Sequence, residues 1–281
     1  AIQVGIRVCE KCGDFTSKGV CCGQDTLFHG NEWVGKDDEL WSEISAKVLW
    51  EESLNKVHEV ENQEAEELTF GVQNTVRKTE PNPQVKGVKG MNSREKTSEN
   101  MIKGILRHKN DISTFRDGTI RFDMVDITMT HFKPKEIGIT VAQAQALGYD
   151  VEDENEVVEL KPQDVVIPMN CTEKLVNTTK YIDDLLVTLY GMERFYKCET
   201  HQDLVGHLIM GIAPHTSGAI LSRIIGFADV KGHYGHPYVH AAKRRNCDGD
   251  IDAILLLLDG LLNFSRSFLS ANRGGMMDAP L

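Results

Sequence analysis

The spacing of apolar residues along the chain changes character three times. Alternation at Ile2, Val4, Ile6 and Val8 predicts an opening strand. Asp37 and Asp38 then precede a helical pattern to about Glu59, with Leu40, Ile44, Val48, Leu54 and Val57 on one side, and its acid-rich continuation to Glu67 reads as a solvated spacer. From Leu68 to Pro168 the pattern breaks into short β-type runs: Gly118 to Thr130, Glu136 to Thr140, Val157 to Leu160 and Asp164 to Pro168. Turns rich in Pro, Gly and acid separate them, which predicts a small barrel rather than a layered α/β sheet. Helical patterns follow at Thr172 to Tyr190, stopped by Gly191, at Thr200 to about Gly211, opened by a Thr200/Asp203 capping box, and at Ser217 to Gly226. Asp229 to His240 reads as a strand. Asp252 to Leu269 is apolar nearly all round, the signature of a buried helix. The class is α+β, with no internal repeat.

Charge changes the picture through its distribution. The 281 residues carry a net charge of −11, yet residues 32–67 alone hold −9 and residues 150–164 hold −6, leaving +4 for the rest. Residues 72–109 reach +6, with "KGVKGMNSREK" at their centre, so Lys86 and Lys89 are candidate phosphate contacts. The longest apolar run, Ala253 to Leu258, is far below the roughly 20 residues of a membrane span, and the N-terminus lacks a signal pattern. A soluble, cytoplasmic protein is expected. The opening at Ala1 and the unpunctuated end at Leu281 suggest a piece of a longer chain.

Seven cysteines without a secretion signal point to metal ligation before disulfides. In "CEKCGDFTSKGVCCGQ", Cys9 and Cys12 form a C-x-x-C-G knuckle, and Cys21 and Cys22 stand where a ribbon-type zinc site wants its second pair. Adjacent cysteines are awkward ligands for one ion, which leaves His29 as a substitute fourth ligand. Cys171, Cys198 and Cys247 read as small core residues.

The stretch "HAAKRRNCDGDIDAILLLLDG" places Lys243, Arg244 and Arg245 directly ahead of Asp248-Gly249-Asp250. Two carboxylates two residues apart, with Asn246 as a third oxygen, suit a hard divalent cation such as Mg²⁺ that shares its shell with substrate phosphates. The basic triplet would attract those phosphates. A calcium loop starting at Asp248 fails because its sixth position is Ala253 and an apolar run follows. The bland alternative is an acidic turn capping the next helix. His236 and His240, separated by Pro237 and its neighbours, read as packing or substrate contacts rather than a metal pair.

"HPYVHAAKRRNCDGD", "APHTSGAILSRIIGF", "GTIRFDMVDITMTHFKPKEIG", "LKPQDVVIP" and "YGMERFY" together resemble the large subunit of the archaeal D-family DNA polymerase over most of the chain. The resemblance implies a replicative polymerase built on double-psi β-barrels with attached zinc modules. Carried over residue by residue, it assigns Asn246, Asp248 and Asp250 to catalytic Mg²⁺. Ile251 stands where the family commonly has a further acid. Template-primer DNA, a dNTP, a small subunit and a sliding clamp are the implied partners. The 3′–5′ exonuclease activity associated with the heterodimer is expected in the small subunit. The family's catalytic lysines are expected before Ala1, so this stretch alone should be inactive. The expected organisation is a zinc module over 1–30, an acidic helical spacer over 31–67 and a barrel region over 68–281. A non-catalytic zinc-containing nucleic-acid module and an RNA-polymerase-like barrel enzyme are the alternatives.

Overall fold

The computed structural model describes residues 2–5, 7–13, 15–16, 20–25, 27–28, 41–44, 46–61, 100–115, 117–213, 218–246 and 249–265. The chain divides into two compact units, one of residues 1–113 and 180–196, the other of 114–179 and 197–281.

In the first unit the alternating N-terminus forms β1 (Ile2–Gly5), β2 (Arg7–Val8), β3 (Phe15–Thr16), β4 (Val20–Cys21), β5 (Gln24–Asp25) and β6 (Leu27–Phe28). β2 pairs with β3 and β6, and β4 with β5, all antiparallel. The helix expected from Asp37 instead begins at α1 (Ala46–Glu61), because β7 (Trp41–Ile44) is drawn into antiparallel pairing with β1. Leu54 and Val57 of α1 are buried as the helical spacing requires, whereas Val48 is exposed. α2 (Met101–Lys109) starts on Asn100, whose side chain accepts from the Ile102 amide, and ends in Arg107, His108 and Lys109, the sign its dipole favours. Lys109 reaches Asp184 at 2.9 Å, and Asp183 accepts from the amides of Phe195 and Tyr196.

The second unit is organised by a closed six-stranded barrel. Its strands are β8 (Phe122–Thr128), β11 (Asp164–Pro168), β12 (Leu208–Ile212), β13 (Ile220–Ala228), β14 (Gly232–Gly235) and β15 (Ile251–Leu256), in the order β11-β13-β12-β15-β8-β14 and back to β11. The β11–β13 and β8–β14 pairs are parallel and the other four antiparallel. An internal equivalence follows. Moving each of the first three strands in the chain to the one three later, β8 to β13, β11 to β14 and β12 to β15, reproduces every pairing and its direction. Between β8 and β11 lie the hairpin of β9 (His131–Phe132) and β10 (Val158–Glu159) and the helix α3 (Val141–Ala146), whose Thr140/Gln143 capping box is formed in full. They cover an apolar cluster of Phe132, Ile137, Ile139, Leu147, Tyr149, Leu160 and Val166.

Helix α4 (Thr172–Leu185) runs on as a π-type turn to Tyr190 and stops at left-handed Gly191, as predicted. Three other predicted helices are strands. The described part of Ser217 to Gly226 contributes to β13, the Thr200 capping box opens only a 3₁₀ turn, His201–Leu204, before β12, and the described part of Asp252 to Leu269 holds β15 and the short helix α6 (Leu257–Asn263). The reason is clearest for β15. These runs are short, and in a closed barrel a strand can be buried on both faces, as β15 is from Asp252 to Leu256, which erases the alternation that would distinguish it from a helix. Conversely, Asp229 to His240 holds β14 and then helix α5 (Pro237–Ala242), opened by Pro237 in its first turn and by the His236 side chain accepting from the Tyr238 amide.

Candidate active site

α5 delivers the chain to the basic triplet, and the three cations go three ways. Arg244 is exposed, with φ +62°. Lys243 is 3% exposed, so the expected phosphate-facing stripe of three cations is corrected at this residue. An ammonium ion buried that deeply has to be paired, and its Nζ lies 2.8 and 2.9 Å from the two oxygens of Asp126 on β8 and 2.5 Å from Asp252 Oδ2 on β15. Gly211 on β12 makes room for the stem: a Cβ there would come within 3.2 Å of Lys243 Cδ. Arg245 takes the other Asp252 oxygen through Nε at 2.5 Å, donates to the Ile251 carbonyl at 2.7 Å, and brings Nη1 to 3.5 Å from Asp250 Oδ2.

Two histidines complete the cluster. His233 Nδ1 is 2.8 Å from Asp126 Oδ1, and His240 Nε2 is 3.1 Å from the Ile127 carbonyl. A carbonyl only accepts, so Nε2 of His240 carries a proton. Its Nδ1 lies 3.3 Å from Asp126 Oδ2 but outside hydrogen-bonding geometry, and both this atom and His233 Nε2 are buried without a hydrogen-bond partner. Burial alone would raise the Asp126 pKa; the hydrogen bond with His233, the neighbouring side chains of His240 and Asp252 and the Lys243 charge outweigh it and hold this carboxylate far below the usual range. Burial pulls His233 down to about 4, against the opposing pull of its bond to Asp126. At Asp252, burial and then the Asp126 side chain push upward against Lys243 and Arg245. With the His233 ring neutral, the carboxylates of Asp126 and Asp252 face the cations of Lys243 and Arg245.

Above this base the loop turns back to β15. Gly249 has φ +108°, a conformation that a side chain would strain, and the Asp250 carbonyl accepts from the Asp126 amide at 3.0 Å, which ties the end of the loop into the barrel edge. The Asp250 side chain is 35% exposed and Asn246 is exposed. Asp248 and Cys247 lie outside the described residues, as do Lys86, Lys89 and His29. Partly open oxygens at Asp250 and Asn246 fit a hard cation; the buried Asp126 and Asp252, already saturated by ammonium and guanidinium, do not compete for it.

In the first unit the thiols of Cys9, Cys12 and Cys22 come within 4.8 Å of one another, with Cys9 buried and the other two exposed. The Gly13 amide donates to the Cys9 carbonyl at 2.7 Å, closing the knuckle turn, and Cys22 has φ +54°. Cys21 ends β4; its side chain is outside the described residues. Three converging thiols suit Zn²⁺.

The sequence reading missed Asp126, His233 and Asp252 as a cluster. The available signal was in "FDMVDIT", where Met124 and Asp126 share the inward face of β8 and a carboxylate occupies a core position.

The fold and site together define a barrel protein that carries a buried, ion-paired base beneath an oxygen-bearing loop. A family model described as DNA polymerase II large subunit DP2, catalytic domain, matches residues 77–281. The DNA polymerase II large subunit of Methanothermobacter thermautotrophicus is 53% identical over 289 residues, covering 100% of this chain and 24% of the relative. That of Methanocorpusculum labreanum is 46% identical over 295 residues, covering 100% and 25%, and that of Thermoplasma acidophilum 57% over 196 residues, covering 70% and 18%. The chain belongs to the DNA polymerase II large-subunit family, and it spans about a quarter of the length of the first two of these relatives. Among the described residues, no helix is long and apolar enough to cross a membrane.

Proposed function

We propose that the chain is a catalytic portion of a replicative DNA-directed DNA polymerase, supplying the loop that holds Mg²⁺ during nucleotidyl transfer from a dNTP to a primer 3′-hydroxyl. The carrying observation is the contrast in exposure between neighbouring acids: Asp250 opens to solvent while Asp126 and Asp252 are sealed by Lys243 and Arg245. Asn246, Asp248 and Asp250 are the residues that would hold the ion. When bound, it supplies charge neutralisation at the triphosphate and a lowered pKa for the attacking hydroxyl. The chain's own share is positioning: the Asp250 backbone is tied to β8 through the Asp126 amide, with exposed Arg244 as a phosphate contact.

The strand equivalence of the barrel supports the double-psi reading, since two interleaved three-strand halves are what that architecture requires. The converging thiols support a zinc-ribbon-like module within residues 1–30, with Cys21 as a fourth ligand. Membership of a large-subunit family supports template-primer DNA, dNTP and a small subunit as partners, with a sliding clamp and the exonuclease-bearing heterodimer as further expectations from the family resemblance. The test is primer extension by the full-length two-subunit enzyme. Asp248→Asn or Asp250→Asn should lower incorporation by roughly a hundredfold or more, comparable to loss of a major electrostatic group, with primer-template binding unchanged. Near wild-type extension by both variants would leave the loop as a turn before β15.

A further inference from the structure

We propose that Lys243 is a positioning residue for the metal-binding loop: its buried ammonium ion, clamped between Asp126 on β8 and Asp252 on β15, fixes the base from which Asn246 and Asp250 are presented. This rests on the loop reading above and goes beyond it, because Lys243 cannot touch a substrate from where it lies.

The geometry carries the argument. Lys243 precedes the loop and Asp252 follows it, so the 2.5 Å contact between them closes the loop at its neck. The same Nζ holds both oxygens of Asp126, the residue whose amide donates to the Asp250 carbonyl. Arg245 continues the clamp outward, joining Asp252 to the partly exposed carboxylate of Asp250. Among the described residues, the Asp250 carbonyl is held by the Asp126 amide and its carboxylate lies near Arg245, so both contacts run through residues of the clamp.

The ammonium ion also fills a seat. Donor atoms of Asp126, His233 and His240 lie within 4.8 Å of one another, the arrangement that a divalent ion would accept, and Lys243 Nζ stands 2.8 Å from Asp126 Oδ2 and 3.4 Å from His233 Nδ1. With a lysine in that position, a divalent ion meets open oxygens on the loop rather than behind it. Partners that orient metal ligands without touching the metal typically govern about 10- to 100-fold in metal affinity.

The test measures Mn²⁺ binding by electron paramagnetic resonance on the full-length protein, with Asp250→Asn defining which part of the bound signal belongs to the loop. Lys243→Met should weaken that part by about 10- to 100-fold, with primer-template affinity unchanged because the residue is buried. If Lys243→Met does not fold, the charge-compensated pair Lys243→Met with Asp252→Asn, which removes one cation and one anion together, should show the same weakening. Wild-type Mn²⁺ affinity in either folded variant, even with a lowered melting temperature, makes Lys243 a purely structural residue and overturns the inference. A different result, in which Asp250→Asn itself changes neither Mn²⁺ binding nor primer extension, overturns the loop reading and the inference with it.

Discussion

Asp164 and Arg223 are register partners across the parallel β11–β13 pair, and their side chains meet in a two-pronged ion pair, Nε to Oδ1 at 2.8 Å and Nη2 to Oδ2 at 2.6 Å. Tyr149 donates to the same Oδ2 at 2.6 Å, so the carboxylate, 4% exposed, is fully engaged. This locks one of the two parallel seams of the barrel to the layer that covers it.

Breaking that pair from one side should be costly. Arg223→Met leaves a buried carboxylate without its cation and should destabilise the barrel by about 3 kcal/mol, and Arg223→Lys, which keeps charge but loses the fork, by about 1 kcal/mol. Hydrogen exchange at the β11 and β13 amides of the full-length protein reads both; unchanged protection in the Met variant would mean that the seam is held by packing alone.

Acid should loosen the site before it unfolds much else. His233 titrates at about 4 in the folded chain against an ordinary 6.5, so below 6.5 the unfolded state takes up a proton that the folded state refuses. Stability is complete above about pH 6.5, falls as pH drops to about 4, and loses about 3 kcal/mol across that window. Below it, protonation of Asp126, held low in the folded chain, adds a further loss. Melting temperature against pH for the wild type and His233→Gln checks this, the variant being expected to lose about 3 kcal/mol less than the wild type between pH 6.5 and 4.

Salt should separate the neighbours in the basic triplet. Arg244→Ala should reduce the slope of log affinity for DNA against log salt by about 0.9, the value for one phosphate contact. Lys243→Met should leave the slope where it is, because a buried, paired ammonium ion releases no counterions.

The thiol cluster predicts about one Zn²⁺ in the first unit by metal analysis, and chelation should expose residues 1–30 to protease because metal binding there substitutes for a core. Zinc retained in Cys12→Ser and Cys22→Ser, with proteolysis unchanged, would assign the metal elsewhere.

What was readable in the sequence followed physical uniqueness. The capping boxes at Thr140 and Thr200 and the stop at Gly191 are local devices, and those weighed from the chain, Thr200 and Gly191, appear where the residues put them, although Thr200 opens one turn only. β11 was legible because Pro168 and its flanking turns bound a run too short for a helix. β15 was not: closure of the barrel buries Ala253 to Leu256 whatever their period, so no periodicity remains to be read. The proposal that the loop acids hold a cation comes from spacing and chemistry. The foundation beneath them was not legible, because Asp126, His233, Lys243 and Asp252 come from four places in the chain and only the barrel's pairings gather them.

The strand equivalence has a consequence for how the polypeptide is made. All six pairings of the barrel join a strand from the group β8, β11 and β12 to one from β13, β14 and β15; within either group no two strands bond to each other. When the ribosome has released everything through β12, the nascent chain still holds three strands with no partner among themselves. Closure waits for β15, and the exposed edges must be kept apart until then. In topology alone, two copies of one group would fill all six positions of the ring, whereas one copy fills only alternate ones.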